Sequence, residues 1–327
     1  MNTDLPLAEL IEYRSAQQAP DDFDEFWNRT LAESRAFELD LTLSEVLHPS
    51  LREIRTFDVT FNGFHGQPVK AWLRIPAAAT EPMPAVVQYV GYGGGRGHAF
   101  ESLLWAAAGY AHLQMDNRGQ GSAWSVGHTA DPTGSGPQIP GFMTRGIHDP
   151  ETYYYRRLIT DAVRAIDAAG AITAIDGTQI ALLGGSQGAG LALAAAVLTP
   201  GIRAIFARVP FLCDFPRAIT ITDRAPYYEI TQYLAVHRHE ADRVFRTLSY
   251  FDGVNFASRA QAPAWFSVGL MDPTSPPSTV FAAFNAYAGV KDIAVWPHNA
   301  HEGGGIEDDM MTLDVLAGLF PATPASR

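Results

Sequence analysis

Hydrophobic and polar positions follow two different patterns on either side of Pro84. Before Pro84, residues 20–36 carry apolar side chains at helical spacing, which predicts an amphipathic helix. Residues 53–62 and 68–76 instead alternate between apolar and polar positions, which predicts two strands of a hairpin. We therefore expect a helical extension at the start of the chain, followed by antiparallel strands.

After Pro84 the chain alternates between short apolar runs and longer helical patterns. Such continuous apolar runs are typical of strands that are buried on both faces of a sheet. The strand-like runs are 85–90, 110–115, 178–184, 203–209, 262–269 and 293–297, and the helical stretches are 153–170, 188–200, 277–288 and 310–320. This alternation predicts an α/β fold with a mainly parallel central sheet and helices on both faces.

We interpret residues 1–327 as a single domain with three additions to this pattern. The first is the N-terminal helical extension, about 1–50. The second is a segment of about 122–147, rich in Gly, Pro and Ser and without periodicity, and a loop of this length is usually functional or an interface. The third, about 210–258, looks mostly helical, and its position suits a cap over the carboxyl edge of the sheet.

Composition and charge exclude several classes of function. The formal net charge of −12 disfavours binding to nucleic acid or to anionic membrane surfaces. The single cysteine, Cys213, permits no intrachain disulfide and no cysteine-based metal cluster. The N-terminus lacks the basic and apolar regions of a signal peptide, and no apolar stretch approaches the ~20 residues of a membrane span. We expect a soluble, cytoplasmic protein.

The sequence GGSQG at Gly184–Gly188 lies between a predicted buried strand and a predicted helix. G-x-S-x-G in this context is the signature of a nucleophile elbow, in which Ser186 projects its hydroxyl from a sharp turn. Gly184 and Gly188 would avoid collisions with the neighbouring strand and helix. A phosphate-binding P-loop is excluded because no Gly-Lys pair occurs in the chain, and Arg96 replaces the third glycine of a dinucleotide fingerprint.

A serine nucleophile needs a base and an acid, which follow it along the chain in this class of site. His301 follows the strand-like run 293–297 and precedes three glycines, and we prefer it as the base over His298. Asp272 follows the run 262–269 and would accept a hydrogen bond from His301, and Asp292 is a poorer candidate. The backbone amides of Gln187 and of Tyr92, in the glycine-rich loop after residue 90, are the candidates for the oxyanion hole.

With these residues in place, the sequence resembles the cephalosporin-C deacetylase and acetyl xylan esterase family, the seventh carbohydrate esterase family. Three signatures match in order: RGQG at Arg118–Gly121, GGSQG at Gly184–Gly188 and HE at His301–Glu302. The resemblance extends over nearly the whole chain and implies an α/β-hydrolase fold. It also implies Ser186, Asp272 and His301 as the catalytic triad.

The resemblance has further implications for the site and for assembly. It implies a structural motif made of Arg118, Gly119 and Gln120, and Trp105 resembles a pocket-lining residue of the family, although it could equally belong to the core. It implies that segment 122–147 mediates assembly into a homo-hexamer, whose internal cavity would favour small acetylated esters. No metal or organic cofactor is implied.

These observations predict a serine esterase that removes acetyl groups from small acetylated carbohydrates and cephalosporin C-like esters. Unusual residues near Arg224, together with Pro226 where pocket size is set, leave the leaving-group preference open. Two alternatives remain: an α/β-hydrolase esterase or peptidase of different acyl specificity, and a non-catalytic carbohydrate-binding relative.

Overall fold

One mixed sheet organises the chain, for which a computed structural model describes residues 4–133 and 136–320. Within these residues the sheet has nine strands in the order β1-β2-β3-β5-β4-β6-β7-β8-β9. Their bounds are β1 Thr42–Val46, β2 Ile54–Asn62, β3 Pro68–Pro76, β4 Met83–Tyr89, β5 Ala111–Met115, β6 Ile175–Gly185, β7 Ala204–Arg208, β8 Ala264–Gly269 and β9 Lys291–Trp296.

Strand direction divides the sheet into two parts. Strands β1, β2 and β3 form an antiparallel meander, and β3 pairs antiparallel with β5. From β5 to β9 every neighbouring pair is parallel. The carboxyl ends of six strands therefore meet at one edge, which is where ligands bind in open α/β sheets.

Helices cover both faces of the sheet, as the continuous apolar strands predict. Their bounds are α1 Leu7–Glu12, α2 Phe23–Arg35, α3 Leu104–Ala107, α4 Tyr154–Ala171, α5 Gln187–Leu198, α6 Phe215–Ile221, α7 Tyr227–Val236, α8 Ala241–Ser249, α9 Gly253–Ala257, α10 Pro277–Ala286 and α11 Ile306–Leu319. On β4, Val87 packs in the large core with α4 and α5, whereas its neighbour Val86 packs in a second core with α3 and α11. Successive side chains of one strand thus serve opposite faces.

The N-terminal segment differs from the sequence prediction. Its helices end at Arg35, and residues 42–46 form the edge strand β1 rather than helix. This strand is exposed along most of its length and forms by pairing with β2. A local pattern could not reveal it because pairing with a distant strand, rather than burial of an apolar face, holds it in place.

The two later insertions differ in structure. Residues 210–258 contain four helices, α6 to α9, between β7 and β8. The described part of segment 122–147 has no helix or strand, and residues 134 and 135 lie outside the described residues. Asp116 anchors this segment by accepting hydrogen bonds from the backbone amides of His128 and Thr129.

No described helix is long and apolar enough to cross a bilayer.

Candidate active site

Ser186 occupies a sharp turn between β6 and α5. Its backbone has φ 56° and ψ −122°, a conformation that side-chain-bearing residues rarely adopt and that costs roughly 1–3 kcal/mol. The amide of Ser186 donates to the carbonyl of Arg208 at 2.9 Å, and its carbonyl accepts from the amide of Phe211 at 3.1 Å. These bonds to the end of β7 hold the strained residue in place.

The glycines around Ser186 are required by close backbone approach. A Cβ on Gly184 would lie 2.1 Å from the carbonyl carbon of Gly188. A Cβ on Gly188 would lie 2.1 Å from the carbonyl oxygen of Tyr89. Both collisions are with backbone, so neither is relieved by moving a side chain. The strain of the elbow therefore resides in Ser186, while Gly184 and Gly188 provide the space for the turn.

Asp272 and His301 form a hydrogen-bonded pair at the carboxyl ends of β8 and β9. The Nδ1 atom of His301 lies 2.8 Å from Oδ2 of Asp272. Asp272 is fully buried, and its Oδ1 accepts from the amides of Thr274 and Ser275 at 2.7 and 3.0 Å. Since the carboxylate accepts the Nδ1 proton, the Nε2 atom is left available as a base.

The loop that carries His301 is tied down by two acidic residues. Glu302 accepts hydrogen bonds from the side chain of Asn299 at 3.0 Å and from the amide of Ala300 at 3.2 Å. Asp308, in the first turn of α11, accepts from the amide of Gly304 at 3.0 Å. The run of glycines after His301 is thus a fixed turn. His298, the alternative base, is exposed, and the structure pairs His301 rather than His298 with Asp272.

The amides of Tyr92 and Gln187 are available for a ligand. Neither donates a hydrogen bond to any group in residues 4–133 and 136–320. Gln187 is the first residue of α5, so its N–H belongs to the unpaired first turn and lies at the positive end of the helix dipole. A Cβ on Gly91 would lie 3.9 Å from Cβ of Ser186, which places the loop of Tyr92 beside the serine.

Gln120 connects the two amide-bearing segments. Its Oε1 accepts from the amide of Gly93 at 2.7 Å, next to Tyr92. Its Nε2 donates to Oε1 of Gln187 at 3.0 Å and to the hydroxyl of Tyr154 at 2.9 Å. The glutamine of RGQG therefore holds the glycine-rich loop against the start of α5, a role that sequence reasoning did not assign.

The hydroxyl of Tyr92 is fixed by the helical insertion 210–258 and by segment 122–147. It donates to Oε1 of Glu229, on α7, at 2.6 Å and accepts from the amide of Phe142 at 2.6 Å. The other oxygen of Glu229 accepts from the amide of Met143 at 3.0 Å. Burial raises the pKa of Glu229, and burial and the nearby carboxylate raise the pKa of Tyr92. No sequence motif indicated Glu229.

Arg118 forms a buried ion pair with Asp161. Its Nε and Nη2 atoms donate to the two oxygens of Asp161 at 2.5 and 2.7 Å, and it also donates to Oε1 of Gln67. Its neighbour Gly119 has φ 67°. Arg118 does not line the catalytic cavity. Through Gln67 and Asp161 it instead joins the RGQG turn to the β2–β3 connection and to α4.

A cavity of about 560 Å³ contains Ser186 and His301 in its wall. This volume falls within the ~300–1,000 Å³ typical of small-molecule sites. Its lining also includes Tyr92, Pro226 at the start of α7, and Glu302. Among the described residues, no three His, Cys, Asp or Glu side chains are grouped as metal ligands.

Of the two places that the sequence left open for Trp105, the structure supports the core and not the pocket. Trp105 is 3% exposed and packs with Val86, Tyr110 and Leu316 in the core between the sheet and α11. It lies in the short helix α3, which packs against the apolar face of the sheet. A different tryptophan, Trp124, lines the cavity, and its indole donates to the carbonyl of Tyr92 at 2.8 Å.

Solved structures resemble this one over nearly its whole length. The acetyl xylan esterase from Paenibacillus sp. R4 is 37% identical, and the match covers 97% of this chain and 100% of that one with a TM-score of 0.91. Acetyl xylan esterase 1 from Thermoanaerobacterium sp. JW/SL YS485 is 33% identical, with coverage of 96% and 99% and a TM-score of 0.87. The predicted α/β-hydrolase fold is thereby confirmed.

A curated relative and a family model agree with these structures. Acetyl esterase Axe7A from Xylanibacter ruminicola is 27% identical over 283 residues, which are 86% of this chain. The match spans 63% of the length of that relative. The family model described as acetyl xylan esterase matches residues 1–314. The chain belongs to the acetyl xylan esterase family.

Proposed function

We propose that this protein is a serine esterase that removes acetyl groups from small acetylated carbohydrates and cephalosporin C-like esters. One observation carries the proposal: a strained serine and a histidine paired with a buried aspartate line one cavity. The amides of Tyr92 and Gln187 donate to no group within the described residues, and they belong to the two segments next to the serine.

Acylation begins when Oγ of Ser186 attacks the acetyl carbonyl and His301 Nε2 takes the hydroxyl proton. The new C–O bond places a negative charge on the former carbonyl oxygen, which the two amides stabilise. In other enzymes, loss of one such donor lowers kcat by about 10²–10³. When the intermediate collapses, the ester C–O bond breaks, and the leaving alkoxide receives the proton from His301.

Deacylation repeats these steps with water as the nucleophile. His301 Nε2 accepts a proton from water, and the hydroxide attacks the acetyl-enzyme. The bond to Ser186 then breaks, acetate leaves, and the serine regains its proton. Throughout the cycle Asp272 keeps the imidazole in the tautomer that presents Nε2, and it stabilises the imidazolium form.

The size of the cavity and the relatives' names support acetylated sugars as substrates. Both solved structures above are named acetyl xylan esterases, and the curated relative is named an acetyl esterase. We expect turnover of acetylated xylo-oligosaccharides, acetylated glucose and cephalosporin C to exceed that of polymeric acetyl xylan. A series of p-nitrophenyl esters should show a steep loss of rate beyond about propionyl.

Replacement of the nucleophile tests this proposal. Ser186→Ala should reduce p-nitrophenyl acetate hydrolysis to near the background rate while thermal melting remains close to that of the native protein. Ser258→Ala, at an exposed position outside the cavity, is the matched control and should retain full activity. Substantial activity in the Ser186→Ala variant would contradict the assignment.

We further propose assembly into a homo-hexamer through segment 122–147. In the isolated chain Trp124 and Val126 of this segment are 64% and 43% exposed, which is large for apolar side chains. Light scattering that reports a monomer would overturn this proposal.

The cytoplasmic location stays a prediction, which cell fractionation would test.

A further inference from the structure

Two neighbouring glutamine side chains line the cavity wall, and neither belongs to the candidate catalytic residues described above. Gln88 on β4 and Gln114 on β5 are paired in register on adjacent parallel strands, and both line the cavity that contains Ser186. Gln114 is only 8% exposed. A buried polar side chain on a strand requires hydrogen-bond partners, and those partners determine which end of each carboxamide faces the cavity.

Arg74 fixes the orientation of Gln114. The Nη1 atom of Arg74 lies 2.9 Å from Oε1 of Gln114. A guanidinium group can only donate hydrogen bonds, so it is the amide oxygen that faces Arg74. The carboxamide nitrogen is left on the other side.

His112 fixes Gln88 by the same logic. Arg74, which can only donate, also lies 3.4 Å from Nδ1 of His112. Burial and the charge of Arg74 lower the pKa of His112 well below its usual range. Its Nε2 atom faces Oε1 of Gln88, and because an amide oxygen can only accept, the ring carries its proton on Nε2. This N–H lies 2.8 Å from Oε1 of Gln88 and donates to it.

Both carboxamide nitrogens are consequently free to act as donors toward the cavity. Neither donates to any other group in the described parts of the chain, and neither is among the polar atoms sealed from solvent without a partner. The wall thus presents up to four N–H bonds from two fixed amides. This arrangement fits a ligand with several oxygen atoms.

The charges around these amides favour hydroxyl groups over an anion. Arg74 is fully buried, and burial lowers its pKa to about 10 while the charge of Glu101 acts in the opposite direction, so this part of the wall carries one positive and one negative group. Glu101 and the hydroxyls of Ser102 and Ser125 line the same cavity and can accept hydrogen bonds. A hydroxyl both donates and accepts, whereas an anion would be repelled by Glu101.

We propose that Gln88 and Gln114 form a hydroxyl-binding subsite for the sugar part of the ester, which determines specificity for carbohydrate esters over simple alkyl esters. The proposal rests on the esterase function proposed above and identifies the part of the cavity that recognises the leaving group. Arg74 and His112 act as positioning residues because they orient the two amides without lining the cavity.

The test compares a hydroxylated ring with one of the same size that lacks hydroxyls. The substrates are a mono-acetylated methyl xyloside and cyclohexyl acetate, and the readout is the ratio of their kcat/KM values. Gln114→Glu keeps an oxygen facing Arg74 but replaces the N–H donors with an acceptor. Gln114→Met and Gln88→Met remove the donors with a side chain of similar length, and Gln261→Glu, at an exposed position outside this cavity, is the control.

We expect each subsite variant to lower the xyloside-to-cyclohexyl ratio by about tenfold, as for loss of one or two hydrogen bonds, while Gln261→Glu leaves it unchanged. A ratio unchanged in all three subsite variants that fold, as judged by thermal melting, would overturn the subsite. The subsite would also be overturned if the native protein showed no preference for the xyloside in kcat/KM. In that case, hydrolysis of cyclohexyl acetate would still support the esterase function. If the native protein hydrolysed neither ester, nor p-nitrophenyl acetate, the proposed function itself would fail.

Discussion

At the scale of single residues, Gln120 is the side chain that most directly joins the parts of the candidate oxyanion hole. It bonds the amide of Gly93 and the side chain of Gln187, so it fixes the distance between the two donors. Electrostatic stabilisation depends on donors that are held in place before the reaction begins.

Gln120→Met should therefore lower kcat for p-nitrophenyl acetate about tenfold or more, with a smaller change in KM. The variant keeps the length of the side chain but loses its hydrogen bonds to Gly93, Tyr154 and Gln187. Gln179→Met, on β6 away from the cavity, provides the comparison. Equal losses in the two variants, or a change confined to KM, would argue against a role in positioning the amides.

Ser186, Asp272 and His301 could be predicted from sequence as candidate catalytic residues because each follows a recognisable strand. The contacts of Gln120, Glu229 and Gln114 could not be predicted in the same way. The hydrogen bond between Tyr92 and Glu229 joins residues 137 positions apart. Gln114 lies within an apolar strand, and its orientation depends on Arg74 from a different strand.

At the scale of elements, helix α7 joins the helical insertion 210–258 to the glycine-rich loop of Tyr92. Glu229 on α7 holds the Tyr92 hydroxyl and the amide of Met143, which belongs to segment 122–147. Three parts of the chain that are distant in sequence thus meet at one buried carboxylate. The strand and helix pattern predicted the cap and the insertion separately, but nothing in either pattern indicated this junction.

Glu229→Ala should leave the Tyr92 hydroxyl and the Met143 amide without their acceptor. Unsatisfied buried groups cost about 1–3 kcal/mol each, so we expect a lower free energy of unfolding and a reduced kcat. Chemical denaturation and p-nitrophenyl acetate kinetics measure the two effects. Glu240→Ala, in the loop before α8 and away from the cavity, serves as the reference, and a Glu229→Ala variant indistinguishable from it would refute the junction.

The N-terminal region illustrates which elements a local pattern can predict. Helix α2 was predicted because its apolar residues, among them Phe26 and Trp27, form one buried face. Strand β1 was missed because it lies at the edge of the sheet with an exposed, mixed pattern. The sequence left the place of Trp105 open because an aromatic side chain near the site has the same sequence signal whether it faces the cavity or the core.

At the scale of the whole molecule, pH should affect stability through the buried Asp252. Its oxygens accept from the amides of Asp214, Phe215 and Val254, and burial raises its pKa from 3.8 to about 7. The folded state therefore holds a proton that the unfolded state has already released. The contribution of this group is fully present below about pH 4 and is lost as the pH rises to about 7.

Denaturation of the native protein and of Asp252→Ser at pH 5, 6, 7 and 8 tests this linkage. Serine retains the capacity to cap α9 but does not titrate. The stability advantage of the native protein over the variant should shrink by about 1.4 kcal/mol per pH unit up to about pH 7 and then level off. A difference that is constant from pH 5 to pH 8 would show that Asp252 does not titrate in this range.

The central claim for the whole protein is that Ser186 is a nucleophile activated by His301 and Asp272. The most direct measurement is reaction with a serine-directed phosphonate, followed by peptide mass spectrometry and by residual activity on p-nitrophenyl acetate. We predict one label per chain, located on Ser186, with activity lost in proportion to labelling and with labelling strongly slowed in His301→Ala. Full labelling at another serine, or full labelling of Ser186 with activity retained, would contradict the account.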